Sequence, residues 1–243
     1  MSRLWEPARE EVVQRILPSA VQIVIERDGK RFRSGSGVAI AARVSPQGTD
    51  CFVLTSGHTL SRLSGQDRVF VLFGRHNSAG SKAATTLLAH RDTKELDLSL
   101  LRAQTNQCAP ADFGSPPRLG KPILVAAYPW GRNLTLVGGI VSQINVEQSD
   151  DRDAAPRLIV DASVSYGSSG GGVYDERGRL VGLVEGYRTA RVPFNGEVSQ
   201  QYVDVPVPGE TYVVPLIDIR NFLVESNRQD LLGTLAPISD TRE

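Results

Sequence analysis

The stretch SYGSSGGG, residues 165–172, sets Ser168 and Ser169 among four glycines directly before Val173 and Tyr174. Glycine gives up more backbone freedom on folding than any other residue, so a cluster of it implies a geometry that side chains would obstruct. A flexible linker has the same composition. The chemical reading is a nucleophile turn, in which Ser169 presents its hydroxyl and the N–H groups of Gly167 and Ser169 form an oxyanion hole. A serine hydroxyl is a weak nucleophile at neutral pH and needs a base beside it. Of the three histidines, His58 closes the run CFVLTSGH, where a buried strand carries the imidazole to an open end. His76 and His90 lie in polar, loop-like surroundings. The imidazole in turn needs a carboxylate to fix its tautomer and to stabilise the imidazolium. Asp97 opens the apolar run DLSLLRA, where it is either a strand-end cap or that orienting group. Asp92 and Asp67 compete for the role from more polar stretches. The order along the chain is His58, Asp97, Ser169, one of the orders in which such triads occur.

The elements that must hold these residues read as β. Eleven short runs rich in Val, Ile and Leu, from AVQIVIE (20–26) to TYVVP (211–215), are separated by Gly, Pro, Asn and Asp. Spacing of this kind with almost no amphipathic helix between predicts an all-β barrel or sandwich. A short helix is expected over Pro7–Leu17, ending before Pro18, and another near Leu216–Val224. The Gly- and Pro-rich ADFGSPPRLGK (111–121) divides the chain into comparable halves. The expected organisation is an N-terminal helix (1–18), a first lobe with His58 and Asp97 (19–112), a second lobe with Ser169 (113–225) and a polar tail (226–243). NVEQSDDRDAAP (145–156) and the stretch Arg188–Glu210 read as long polar loops.

Five stretches carry a resemblance. GSGVAI (35–40) with FVLTSGHTL (52–60), DLSLLRA (97–103), GGIVSQI (138–144) and DASVSYGSSGGGVYDERGRLVGLVEG (161–186) are similar to the trypsin-like peptidases, and within them to the HtrA/DegP-like branch. The resemblance implies two six-stranded antiparallel β-barrels packed side by side, a chymotrypsin-like fold. It implies a serine endopeptidase acting through His58, Asp97 and Ser169 by way of an acyl-enzyme. By the same resemblance, Ser163, Val164 and Tyr166 face Glu185, Gly186 and Tyr187 across the substrate pocket. The base of that pocket lacks the acid that selects Lys or Arg, so a small or medium apolar P1 side chain is expected, while Glu185 would attract a basic one. Gly57 stands where the family usually has Ala, a small change expected to be tolerated. Ser168 replaces the Asp with which zymogen-activated relatives pair a new N-terminus, so activation by that route is not expected. No PDZ-like module is expected after the second lobe.

Composition narrows the alternatives. Lys plus Arg and Asp plus Glu are 27 each, so no net field points to nucleic acid or an anionic membrane. The N-terminus has no apolar signal region, and a cytoplasmic location is expected. Two cysteines, Cys51 and Cys108, read as free thiols in the core. No metal or cofactor motif is present: GSPPRLGKP mis-spaces a phosphate loop, and no His-Glu-x-x-His occurs. The expected partners are a protein or peptide substrate and a regulatory protein acting on the long loops. The competing reading is a catalytically silent or partner-activated binding module on the same fold.

Overall fold

The computed structural model describes residues 8–46, 48–74, 80–146, 157–195 and 200–233. After a helix α1 (Arg9–Ile16), six strands follow: β1 (Ala20–Arg27), β2 (Lys30–Ser45), β3 (Gly48–Thr55), β4 (Asp67–Phe73), β5 (Ser81–Asp92) and β6 (Asp97–Gln104). They close into an antiparallel barrel in the order β1-β2-β3-β6-β5-β4. The second half supplies β7 (Pro122–Ala127), β8 (Thr135–Val146), β9 (Arg157–Val160), β10 (Gly172–Asp175), β11 (Leu180–Asn195) and β12 (Gln200–Pro215), then helix α2 (Leu216–Glu225). These strands close in the order β7-β8-β9-β12-β11-β10, the same path repeated. The expected two-barrel, six-strands-each architecture is the one observed.

Each barrel is filled from alternate strand positions, as the period of two demands. Val21, Ile23, Val53, Val71 and Leu101 fill the first; Val125, Val141, Val160, Val181 and Val213 fill the second. A third cluster lies between the barrels, where Leu54, Leu98, Tyr128 and Tyr174 meet Val12 and Ile16 of α1 and Ile219 and Phe222 of α2. Barrel strands with both faces covered read as the near-continuous apolar runs seen in the sequence.

Four expectations need correction. β5 is a twelfth strand that the sequence reading lacks. Its burial does alternate along Ser81–Thr86, but the inward positions carry Ser81, Ala83 and Thr85 rather than Val or Ile, so the apolar signal is weak. The stretch Arg188–Glu210 is not a loop: β11 and β12 run on past the barrel as a two-stranded ribbon, pairing Thr189 with Pro206 through to Asn195 with Gln200. The part of 145–156 from 147 onward lies outside the described residues. Cys51 and Cys108 are not free: they form a disulfide between β3 and the segment after β6, closing a separation of 57 residues. The expected polar tail includes a 3-10 turn, Gln229–Leu232, which buries Leu231 against the inter-barrel core.

Candidate active site

His58 sits in a 3-10 turn, Gly57–Leu60, that begins just after β3 ends, and Asp97 is the first residue of β6. Because β3 and β6 pair from Asp50/Gln104 to Thr55/Ser99, the end of one strand lies beside the start of the other. The carboxylate then grips His58 twice. Asp97 Oδ1 accepts the His58 backbone N–H at 2.6 Å, and Asp97 Oδ2 bonds the ring Nδ1 at 2.6 Å. Asp97 is buried, whereas the His58 side chain is 47 % exposed. Nδ1 is thereby committed to Asp97 and Nε2 is left to face the cleft. Burial pulls the His58 pKa down, but the hydrogen bond and charge of Asp97, with Asp92 and Glu185 further off, outweigh it and leave the ring above 6.5.

Gly57 is more than tolerated, because a side chain there would force its neighbours to move. A Cβ there would lie on the carbonyl oxygen of Arg91 and 2.9 Å from Asp97 Oδ1. The end of β5 packs directly over the histidine turn, and a residue without a side chain leaves room for the Asp97 grip.

On the facing barrel, two peptide planes of the nucleophile loop are fixed by their carbonyls. The Tyr166 carbonyl accepts the Trp130 N–H at 2.7 Å, and the Ser168 carbonyl accepts the Gly171 N–H at 2.9 Å. In a trans peptide the C=O and the following N–H point in opposite directions. The N–H groups of Gly167 and Ser169 are therefore turned away from these acceptors, and among the described residues neither donates to a backbone carbonyl. This is the disposition an oxyanion hole requires. Gly167 reaches it with φ of +88° and Gly170 with φ of +83°, conformations that favour glycine. Trp130 also adopts the left-handed region, at φ +56°.

The first barrel braces this loop through residues that sequence reasoning missed. Ser36 Oγ donates to the Gly167 carbonyl at 2.7 Å and accepts the Tyr128 N–H at 2.8 Å, while its own N–H donates to the Ser169 carbonyl at 2.9 Å. Thr55 Oγ1 donates to the Ser36 carbonyl, and Ser56 Oγ to that of Val184. Ser36 lies within the GSGVAI stretch, and Thr55 and Ser56 directly precede the histidine turn. Their types gave no chemical signal because their partners are backbone groups remote in sequence.

His58, Ser169, Gly167 and Tyr166 line one cleft of about 440 Å³, shared with Arg33, Arg62 and Asp92. Asp92 therefore borders the site but accepts a hydrogen bond from Ser61 Oγ rather than from His58. Asp67 is elsewhere, paired with Arg27 at 2.7 Å, and His90 bonds Ser99. His76 lies outside the described residues. The expected substrate-pocket residues divide. Tyr166 lines the cleft, and its ring meets Tyr187 edge-on at 5.8 Å. Burial and the Tyr166 hydroxyl push the Tyr187 pKa up to about 12. Val164 packs on the second-barrel core and Ser163 is exposed. No heavy atom approaches a Cβ position at Gly186. Glu185 is bound by Arg157 at 2.5 Å, a fully buried guanidinium that the sequence reading did not single out. No group able to hold a metal occurs among the described residues.

A family model described as a trypsin-like peptidase domain matches residues 35–183. The HtrA-like serine protease of Staphylococcus epidermidis is 26% identical over 204 residues, covering 79% of this chain and 30% of its own. The serine protease PepD of Mycobacterium tuberculosis is 28% identical over 190 residues, 72% of this chain and 38% of its own. Among solved structures, the HtrA-type protease AlgW with tripeptide superposes with a TM-score of 0.69 at 19% identity, covering 92% of this chain and 64% of that one. The serine endoprotease from Yersinia pestis gives 0.66 at 19%, with 92% and 68% covered. The chain spans about a third of the length of the curated relatives it matches.

Proposed function

The chain belongs to the trypsin-like peptidase family, and on that premise we propose that it is a serine endopeptidase cutting protein or peptide substrates through His58, Asp97 and Ser169. The observation that carries the reading is the two-point grip of Asp97 on His58 facing a nucleophile loop whose oxyanion N–H groups are already turned outward. Ser169 Oγ attacks the scissile carbonyl while His58 Nε2 takes its proton. The oxyanion that forms is met by the N–H groups of Gly167 and Ser169. His58 then hands the proton to the leaving amine, and water repeats the sequence on the acyl-enzyme. Asp97 holds Nδ1 and stabilises the imidazolium. Since both oxyanion peptides are held by this chain's own groups, the reading includes turnover without an activating partner. Glu185 has its charge met by Arg157, which favours a small or medium apolar P1 side chain over a basic one.

The test is labelling of the folded chain by a fluorophosphonate probe, with the modified residue located by mass spectrometry. Ser169 is the expected site, and Ser169→Ala and His58→Ala should both abolish the label. A folded wild-type chain that takes no label would overturn the reading. For location, the Cys51–Cys108 disulfide favours an oxidising compartment in place of the cytoplasmic one. Alkylation of unreduced, freshly extracted protein should then add no mass at either cysteine; two alkylated thiols would return the protein to a reducing compartment.

A further inference from the structure

The cleft that holds His58 and Ser169 carries cations that the triad chemistry does not use. Arg33 and Arg62 both line it, against one lining acid, Asp92, which accepts from Ser61 Oγ. Strand β2 sets Arg33 in place. Arg33 and Gly35 share a face of that strand, since faces alternate along it. A Cβ at Gly35 would lie 2.7 Å from Thr59 Cγ2, so this face packs directly on the histidine turn. Arg33 Nη1 donates to the Thr59 carbonyl at 3.2 Å and to the Ser61 carbonyl at 3.0 Å. These neutral acceptors fix the guanidinium without cancelling its charge. Its Nε and Nη2 groups form the edge that takes a carboxylate through two parallel bonds, and they donate to no group among the described residues.

Arg62 joins the cleft from just past the histidine turn, exposed and in the left-handed region at φ +55°. Arginine adopts that conformation at a cost, and residues so held gather at functional positions. No carboxylate among the described residues lies within ion-pair distance of either guanidinium. Proton transfer gives the cleft a direction. His58 Nε2 hands its proton to the leaving amine, so the residues after the cut depart on the side of His58. Thr59, Ser61 and Arg62 form a wall there. Glu185, Gly186 and Tyr187, expected beside the residue before the cut, do not line this cleft.

Resting on the peptidase reading above, we propose that Arg33 and Arg62 form an acid-selecting subsite on the leaving side of the substrate. They bind the carboxylate of an Asp or Glu side chain within about three residues after the cut, ~10 Å of extended chain. Arg33, held by two carbonyls, supplies the fixed edge; Arg62 supplies a second positive charge. The substrate class is thereby narrowed to polypeptides that are acidic just beyond the scissile bond. A chain's terminal carboxylate offers the same chemistry, and the test separates the two sources.

Binding is measured on the full chain carrying Ser169→Ala and isotope-labelled arginine, with the peptide Ala-Glu-Ala-amide as the probe and the guanidinium Nε–H resonances as the readout. The free amino end of the peptide stands in for the leaving amine. Saturable binding is expected, about 5-fold or more tighter than for Ala-Gln-Ala-amide, with the Arg33 resonance shifting. The preference for Glu over Gln should shrink in Arg33→Gln and in Arg62→Gln, and vanish when both are changed. Arg62 is exposed and makes no hydrogen bond or ion pair among the described residues, so its variant keeps the test open even where Arg33→Gln does not fold. The absence of a saturable shift, equal affinity for the two peptides, or a preference untouched by Arg62→Gln would overturn the subsite. So would Ala-Ala-Ala with a free C-terminus binding as tightly as the Glu peptide, which would assign the cleft to a chain end. None of these readouts needs turnover, so failure of the subsite is separate from failure of fluorophosphonate labelling, which tests the peptidase reading.

Discussion

At His58 the balance between burial and a carboxylate partner sets a measurable pH dependence. The ring must be neutral to act as base, and its pKa stands above 6.5 because Asp97 outweighs burial. Labelling of Ser169 by a fluorophosphonate should therefore rise with pH on a limb whose midpoint lies above about 6.5. The linkage to stability has the opposite sense. A raised folded pKa stabilises the fold below the unfolded value, and that contribution is lost as pH rises through the folded one. Asp97→Asn removes the charge and leaves an amide that cannot hold the same tautomer, so the labelling rate should fall on the order of 10³- to 10⁴-fold. The midpoint should move down at the same time; an unchanged midpoint would mean that another group titrates. Gly57→Ala tests the packing behind this pair. Overpacking of this kind costs about 1–3 kcal/mol, read as a lowered denaturant midpoint, and the displaced Asp97 should slow labelling as well.

At the scale of elements, the site is a meeting of strand ends, and its legibility followed from that. The candidate triad residues were readable because each ends or opens an apolar run: CFVLTSGH, DLSLLRA and the glycine cluster before β10. Ser36 was not, because a serine inside a strand gives no sign that its hydroxyl spans to the other barrel. Trp130 was not, because its contribution is a backbone N–H delivered from a left-handed residue. β5 was missed for its small inward side chains, and the ribbon because charges and Pro193 hide a pairing that only register reveals. Ser36→Ala makes the hidden brace testable. It removes the donor to the Gly167 carbonyl and the acceptor of the Tyr128 N–H, so the Tyr166–Ser168 segment loses one of its fixed points. Removing a group that preorganises oxyanion donors is expected to slow labelling of Ser169 by about 10- to 100-fold, with the unfolding midpoint moving much less. Equal rates in the two proteins would leave the loop held by the backbone N–H groups of Trp130, Gly171 and residue 36.

For the molecule as a whole, the two barrels must keep a fixed relation, because His58 and Ser169 come from different ones. Arg157 ties the parts together. Its guanidinium, fully buried on β9, bonds Glu185 of β11, donates to the Glu95 carbonyl in the β5–β6 turn at 3.2 Å, and lies 3.8 Å from Asp218 of α2. The Glu95 contact falls two residues from Asp97, so the same cation that meets the charge of Glu185 also holds the turn leading into Asp97. Arg157→Met keeps the length of the stem but leaves Glu185 and Asp218 without their counter-ion, and breaking a buried pair in this way costs about 3–5 kcal/mol. Burial already raises the Asp218 pKa, against which Arg157 acts. In the variant that pKa rises further, so the folded chain holds a proton over a range where the unfolded chain does not. Stability of the variant should therefore recover as pH falls through that range. The comparison is thermal unfolding of wild type and Arg157→Met between about pH 4 and 8. A gap in Tm that narrows steadily towards pH 4 is expected. A gap that is constant with pH would assign the loss to the donor bond on Glu95, and with it the barrel relation, rather than to the stranded carboxylates.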